Sequence, residues 1–311
     1  MASMSHLLEN PLTFHSLYDS PLVSVRDYCC RISGDGPGNE EHADTNQIVL
    51  MRHGAFSKHF GRRSVTADVN QAVFFSKGST YCVSHPADRG DRGTIFIPSP
   101  RMLGDIIREL DSSTDDCPER PFPFVTGPCD PGVFWRHREF VQRLEAAESD
   151  PLEPLWADVT ALQLIAYVLE AAFTRHDLAP PSGKRRRDGT DADHRDRVEA
   201  AKTYLASQLS ECITLDDIAR AAGASPFHLA RIFQQQTGVP VHRYLTRLRL
   251  RAALERVDDA NDLSTLALEL GFSSHSHFTD AFRREFGRSP SDVRRAAGRR
   301  TLREMSKNLE A

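Results

Sequence analysis

A chain of 311 residues, 40% hydrophobic and 26% charged, is long enough for two domains that each bury a core. No uninterrupted run of about 18 apolar residues occurs and Met1–Asn10 has no basic segment followed by an apolar stretch, so neither a transmembrane helix nor a secretory leader is expected, and a cytoplasmic location follows. The net charge of −4 is unevenly spread: from His194 onward 19 basic residues face 15 acidic ones, whereas the first 193 residues carry 20 and 28, which hints at nucleic-acid contact at the C-terminal end.

In chain order, residues from about 20 to 100 read as β-rich. Gln47–Met51, Ala72–Phe75 and Thr94–Ile97 are short and dense in Val, Ile and Phe, with glycines and polar clusters between them. Several short strands divided by turns predict a small barrel or sandwich. Two helices follow, at Pro131–Ser149 and Pro154–His176. On the second, Leu155, Val159, Leu162, Ile165, Ala166, Leu169 and Phe173 share a face. That face is expected either to dimerise or to pack on its own barrel. Asp177–Asp193, with two prolines, two glycines and the basic block Lys184–Arg187, has the composition of a linker. Strand signals then stop, and the remainder reads as all-α. The divisions are therefore 1–130, 131–176, 177–193, 194–298 and a tail at 299–311, giving an α+β fold class.

The helical half contains two similar segments, Leu215–Gly238 and Leu263–Gly287. Thr214 with Asp217 forms a capping-box-like pair, Gly223 supplies a corner needing positive φ, and Ser225 followed by Pro226 opens a second helix. Asp262, Gly271 and Ser274 repeat that logic. Two helices joined by a tight glycine corner make a helix-turn-helix, whose second helix can enter the major groove. Leu229, Ile232 and Phe233, and in the second unit Phe278, Ala281 and Phe282, form the core sides. The opposite faces present Phe227, Ala230, Arg231 and Gln234, then His275, Ser276, Thr279, Asp280 and Arg283. Arg suits guanine, Gln adenine, and Ser or Thr a base or phosphate. Val239–Val257 predicts a connecting helix with Tyr244, Leu245, Leu248, Leu250, Ala253 and Leu254 along an apolar stripe, flanked by Arg243, Arg247, Arg249 and Arg251. Such a rod would hold two recognition helices one helical turn of DNA apart, about 34 Å.

From Arg197 to Arg295 the sequence resembles the AraC/XylS family of bacterial regulators. GFSSHSHFTDAFRREFGRSPSDVRR (Gly271–Arg295) and IARAAGASPFHLARIFQQQTGVPVHRYL in the first unit carry the resemblance. It implies base contacts from Phe227, Ala230 and Arg231, and from His275, Ser276 and Asp280. Ala230 and Asp280 depart from the polar or basic residues often found there; Ala230 offers only apolar contact, and Asp280 would repel phosphates. More faintly, the N-terminal half, as in QAVFFSKGSTYCVSHP (Gln71–Pro86), resembles a cupin-like sensing domain. The implied protein is a transcription regulator, more often an activator, with double-stranded DNA, RNA polymerase, a small-molecule effector and a second copy of the chain as partners, and no membrane.

The main rival is a metal-binding or enzymatic cupin-like domain fused to a DNA-binding module. His42, His53, His59 and His85 lack a His-x-His spacing followed by a placed Glu, so no metal is expected. The six cysteines form no Cys-x-x-Cys pair and no clustered framework, which argues against structural zinc and alkyl-transfer repair, and leaves reduced, mostly buried thiols as the expectation. No phosphate loop, Ser-His-Asp order or carboxylate pair stands out, so neither catalysis nor a cofactor is expected.

Overall fold

The computed structural model describes residues 11–34, 36–86, 90–110, 121–148, 152–177 and 188–297. The N-terminal half contributes strands β1 (Leu12–Asp19), β2 (Val23–Cys30), β3 (Glu41–His42), β4 (Gln47–His53), β5 (Ala55–Phe60), β6 (Arg63–Asp68), β7 (Gln71–Phe75), β8 (Thr80–Ser84) and β9 (Asp91–Pro98), helix α1 (Pro100–Leu110) and strand β10 (Thr126–Pro128). They build an antiparallel sheet in the order β1-β2-β9-β4-β7-β10 and a second sheet in the order β3-β8-β5-β6. β4 and β7 read as continuous apolar runs because each is covered on both faces, with Ile48–Met51 and Ala72–Phe75 all buried.

Helices α2 (Pro131–Glu145) and α3 (Pro154–Asp177) cover the larger sheet. Asp130 caps α2 by accepting hydrogen bonds from the Gly132 and Val133 amides, with Pro131 in the first turn, where no amide donor is missed. On α3 the buried stripe is Ala157, Ala161, Leu164, Ile165, Val168, Leu169, Ala172 and Phe173. This shifts the expected face: Leu155 and Val159 lie outside it, at 65% and 45% exposure. Contact is close enough that a Cβ at Gly127 on β10 would sit 2.6 Å from the Ala172 Cβ. By length and composition alone α3 could cross a membrane, but its apolar stripe is spent on the sheet.

The second half is all-α: α4 (Asp188–Ser207), α5 (Leu215–Ala221), α6 (Pro226–Thr237), α7 (Val241–Arg256), α8 (Leu263–Glu269) and α9 (His275–Phe286). α4 begins at Asp188, inside the segment expected to be linker; residues 178–187, with the Lys184–Arg187 block, and the tail from 298 fall outside the described residues. α1 was not among the expected elements, although Leu103, Ile106, Ile107 and Leu110 recur at helical spacing and Leu103 and Ile107 are buried. α7 packs against α4, α6 and α9, and also against β4 of the N-terminal half. Of the described cysteines, Cys30 and Cys129 are buried, Cys29 and Cys82 half-buried, and Cys212 exposed, so burial is less general than expected.

Candidate nucleic-acid interface and its contacts with the N-terminal half

The two helix-turn-helix units form through the local chemistry their sequences dictate. Thr214 Oγ1 accepts from the Asp217 amide at 3.2 Å, while the Asp217 carboxylate accepts from the Thr214 amide at 3.0 Å, closing a capping box. The Thr214 hydroxyl, donating to the Asp217 carboxylate at 2.6 Å, and then the Thr214 amide hold that carboxyl below its ordinary range. Ser225 and Ser274 cap α6 and α9 through the His228 and His277 amides, at 3.3 and 3.1 Å. Gly223 and Gly271 turn the corners at φ +60° and +75°, a region costly for residues with a Cβ.

Burial sorts the recognition helices as the 3.6-residue period requires. Leu229, Ile232 and Phe233 on α6, and Phe278, Ala281 and Phe282 on α9, are buried. Outward, Phe227, Arg231 and Gln234 are exposed and Ala230 half-buried; on α9, His275, Ser276, Asp280 and Arg283 are exposed and Thr279 half-buried. Phe227 is 82% exposed, the most open large apolar side chain among those described. Every side chain picked from the sequence as a base reader thus lies on the open face of its helix. The contacts they make are light: Arg231 Nη2 lies 3.5 Å from His228 Nδ1 and Thr279 Oγ1 3.4 Å from His275 Nε2.

The four arginines of α7 do not act as one basic flank. Arg243 is exposed. Arg247 pairs with Glu285 of α9 at 3.0 Å. Arg249 donates to the Leu209 and Glu211 carbonyls ahead of α5 at 2.9 and 2.7 Å, and to the Gly271 carbonyl at 2.8 Å, tying the two units together through one guanidinium. Arg251 turns the other way. It is fully buried, lies 4.8 Å above the Phe134 ring, and donates to the carbonyls of Val69 and, at 2.6 Å, Cys129 in the N-terminal half.

Around Arg251 the two halves share a desolvated polar seam. Tyr244 donates to Asp68 at 2.6 Å and accepts from Gln71 at 2.9 Å. Burial pushes the Asp68 carboxyl up, against the opposing effects of the Tyr244 hydrogen bond and nearby Lys202 and Arg251. Arg52 reaches Asp27, Glu145 and Glu255 at 3.2, 3.2 and 3.5 Å, and Arg138 pairs with Asp258. Burial raises the Glu255 carboxyl, while Arg52 and Arg138 oppose that rise. Thr66 completes the seam on α4, its amide donating to Glu199 at 2.7 Å and its hydroxyl lying 2.8 Å from that of Thr203. Pairwise spacing could not reveal this seam, since the partners that cross between the halves lie more than 100 residues apart in sequence.

Between the two sheets lies a cavity of about 670 Å³, walled by Tyr28, Val49, Phe56, Phe75, Tyr81 and Ile95 with polar groups at its margins. His85 enters it with Nδ1 2.6 Å from Asp91 Oδ2; hydrogen bonds to Asp91 and then Cys30 push the imidazole up to about 10.

The sequence pattern of the family described as "Helix-turn-helix domain" matches residues 218–296, the span of both units. The HTH-type transcriptional activator RhaS of an Escherichia coli strain is 38% identical over 262 residues, covering 82% of this chain and 87% of RhaS. The chain belongs to the AraC/XylS family. This regulator is therefore a DNA-binding transcription regulator. Among solved structures, an AraC-type DNA-binding-domain regulator from Chromobacterium violaceum overlaps 32% of the chain and 91% of its own length at 28% identity and a TM-score of 0.31. An apo ToxT variant from Vibrio cholerae covers 88% and 97% at 11% identity and a TM-score of 0.40. Those overlaps are too loose to carry an argument about this chain.

Proposed function

We propose that this regulator reads two successive major grooves, one with α6 and one with α9, and activates transcription from the site so chosen, as the name of its RhaS relative says of that protein. The observation that carries the reading is the pairing of two capped helices with open outward faces on a single connecting helix, with Arg249 bound to carbonyls of both units. Arg231 and Gln234 suit guanine and adenine edges, Phe227 and Ala230 suit thymine methyls, and Ser276, Thr279 and Arg283 suit bases or phosphates. His275 and Asp280 complete the second set.

A small molecule held between the sheets would alter DNA affinity only by binding the two states of the seam with different strength. The buried seam from β6, β7 and α2 to α7 supplies a route, because it grips the helix that spaces the two readers. A second copy of the chain and RNA polymerase are the expected partners, the reading requires no catalytic step, and a cytoplasmic location follows from the DNA target.

The test is binding of full-length protein to an operator duplex by fluorescence anisotropy, with Arg231→Ala and His275→Ala beside wild type. The reading predicts that each substitution relaxes preference in its own half of the duplex. Unchanged preference in either half would remove that helix from the proposed pair of readers.

A further inference from the structure

Three side chains of the sensor half meet without serving the seam. Cys30 ends β2, His85 follows β8 and Asp91 opens β9, and their donor atoms all lie within 4.8 Å of one another. Cys30 Sγ is 3.7 Å from His85 Nδ1 and 3.6 Å from Nε2, and His85 Nδ1 is 2.6 Å from Asp91 Oδ2. The sulfur is committed to neither ring nitrogen alone.

Their surroundings are built rather than incidental. Cys30 and Asp91 are 3% and 2% exposed. Asp91 Oδ1 is buried with no hydrogen-bond partner, a costly condition for a carboxylate oxygen that a nearby cation would relieve. The backbone fixes the grouping: Gly90 takes φ +70°, and a Cβ there would collide with the Cys30 carbonyl, so the entry to β9 runs directly against the end of β2. Gly34 and His85 exchange backbone hydrogen bonds at 3.0 Å each, which anchors the histidine from the other side.

We propose that Cys30, His85 and Asp91 form a binding site for a divalent cation of the zinc class. A thiolate, an imidazole and a carboxylate are the donors such an ion takes, at about 2.3 Å for sulfur and about 2.0–2.2 Å for nitrogen and oxygen. Around a tetrahedral ion of those bond lengths, sulfur and nitrogen stand about 3.5 Å apart, close to the 3.6–3.7 Å found here. The His85–Asp91 hydrogen bond would open to about 3.4 Å to admit the ion, and the Cys30 thiol proton and the proton on the ligating His85 nitrogen would both pass to solvent. Three protein donors leave one tetrahedral position, and all three residues line the cavity between the sheets. That position is open to water or, if the effector reading holds, to an oxygen or sulfur donor on the effector.

A His-x-His spacing does not capture this grouping, because its members come from three elements and only His85 and Asp91 are near in sequence. The experiment uses full-length protein stripped with a chelator, incubated with Zn²⁺ and desalted, with bound metal counted by mass spectrometry. The proposal predicts one zinc per chain for wild type and for the control Cys212→Ser, and at least a tenfold loss of affinity for Cys30→Ser and Asp91→Asn. Cobalt loading of wild type, which needs no variant to fold, should produce a thiolate-to-cobalt charge-transfer band. Zinc should also shield Cys30 from iodoacetamide. No zinc retained, equal retention by Cys30→Ser, a cobalt spectrum without the thiolate band, or Cys30 alkylation indifferent to zinc would each overturn the proposal. DNA affinity measured on the same samples separates this outcome from the fate of the regulator reading.

Discussion

At the scale of single residues, position on a helix decides what an arginine does. Arg231 sits on the open face of α6, so Arg231→Ala is expected to weaken binding to the cognate duplex by about 1–3 kcal/mol, roughly 5- to 150-fold, and to relax preference at one base pair. A titration against variant duplexes checks both effects. Asp280, exposed on α9, would face phosphates; Asp280→Asn should strengthen binding, and an unchanged affinity across a salt series would place it away from the DNA backbone. Lys58 offers a test independent of DNA. It is buried, donates to the Phe74 carbonyl at 2.9 Å and lies 3.7 Å over the Phe75 ring, and burial pushes its ammonium down to about 8. The unfolded chain, with an ordinary lysine value near 10.4, holds the extra proton between these values. Stability therefore rises from about pH 8 to about pH 10.4, and below pH 8 the penalty is fully present. Relative to Lys58→Met, wild type should gain stability on the order of 3 kcal/mol across that window, read from denaturant midpoints at each pH; a gap that stays constant would refute it.

Individual elements show what a sequence reveals and what it hides. Caps and glycine corners were legible because they depend on residues three or four apart: Thr214 with Asp217, Ser225, Ser274, Gly223 and Gly271 all take the expected places. The outward faces of α6 and α9 were legible for the same reason, since one helical period settles which side is buried. The face of α3 was misjudged at its N-terminal end, where Leu155 and Val159 are exposed. An apolar helix with several hydrophobic sides has no single stripe, and the sheet beneath selected Ala157, Ala161 and Leu164 instead. The corner glycines permit a graded test. Gly223 has open space around it, so Gly223→Ala carries only the left-handed backbone cost of about 1–2 kcal/mol. At Gly271 a Cβ would also stand 2.6 Å from an Arg249 guanidinium nitrogen, so Gly271→Ala should lower the melting temperature further than Gly223→Ala. Equal losses would mean that Arg249 is not clamping that corner.

Over the whole molecule, the N-terminal and DNA-binding halves meet at buried polar groups. Neither Arg251 nor Asp68 could have been assigned there from sequence, because only the fold brings residues from β6, β7, α2 and α7 into one desolvated seam. Breaking such a seam from one side is costly: Arg251→Met removes one of the two cations near Asp68, leaving Lys202, and takes the guanidinium donor from the Val69 and Cys129 carbonyls. A loss of about 3–5 kcal/mol is expected, and calorimetry should show the halves unfolding more independently than in wild type. A single unshifted transition would mean that the seam does not couple them.

The claim on which everything else depends is paired reading of DNA by α6 and α9. Its most direct test is selection of bound duplexes from a random library with full-length protein, followed by affinity against salt. A two-part motif spanning successive major grooves, with one part lost in Arg231→Ala, is the predicted result. Steeply salt-dependent binding without any enriched motif would contradict it, leaving only attraction to the phosphate backbone.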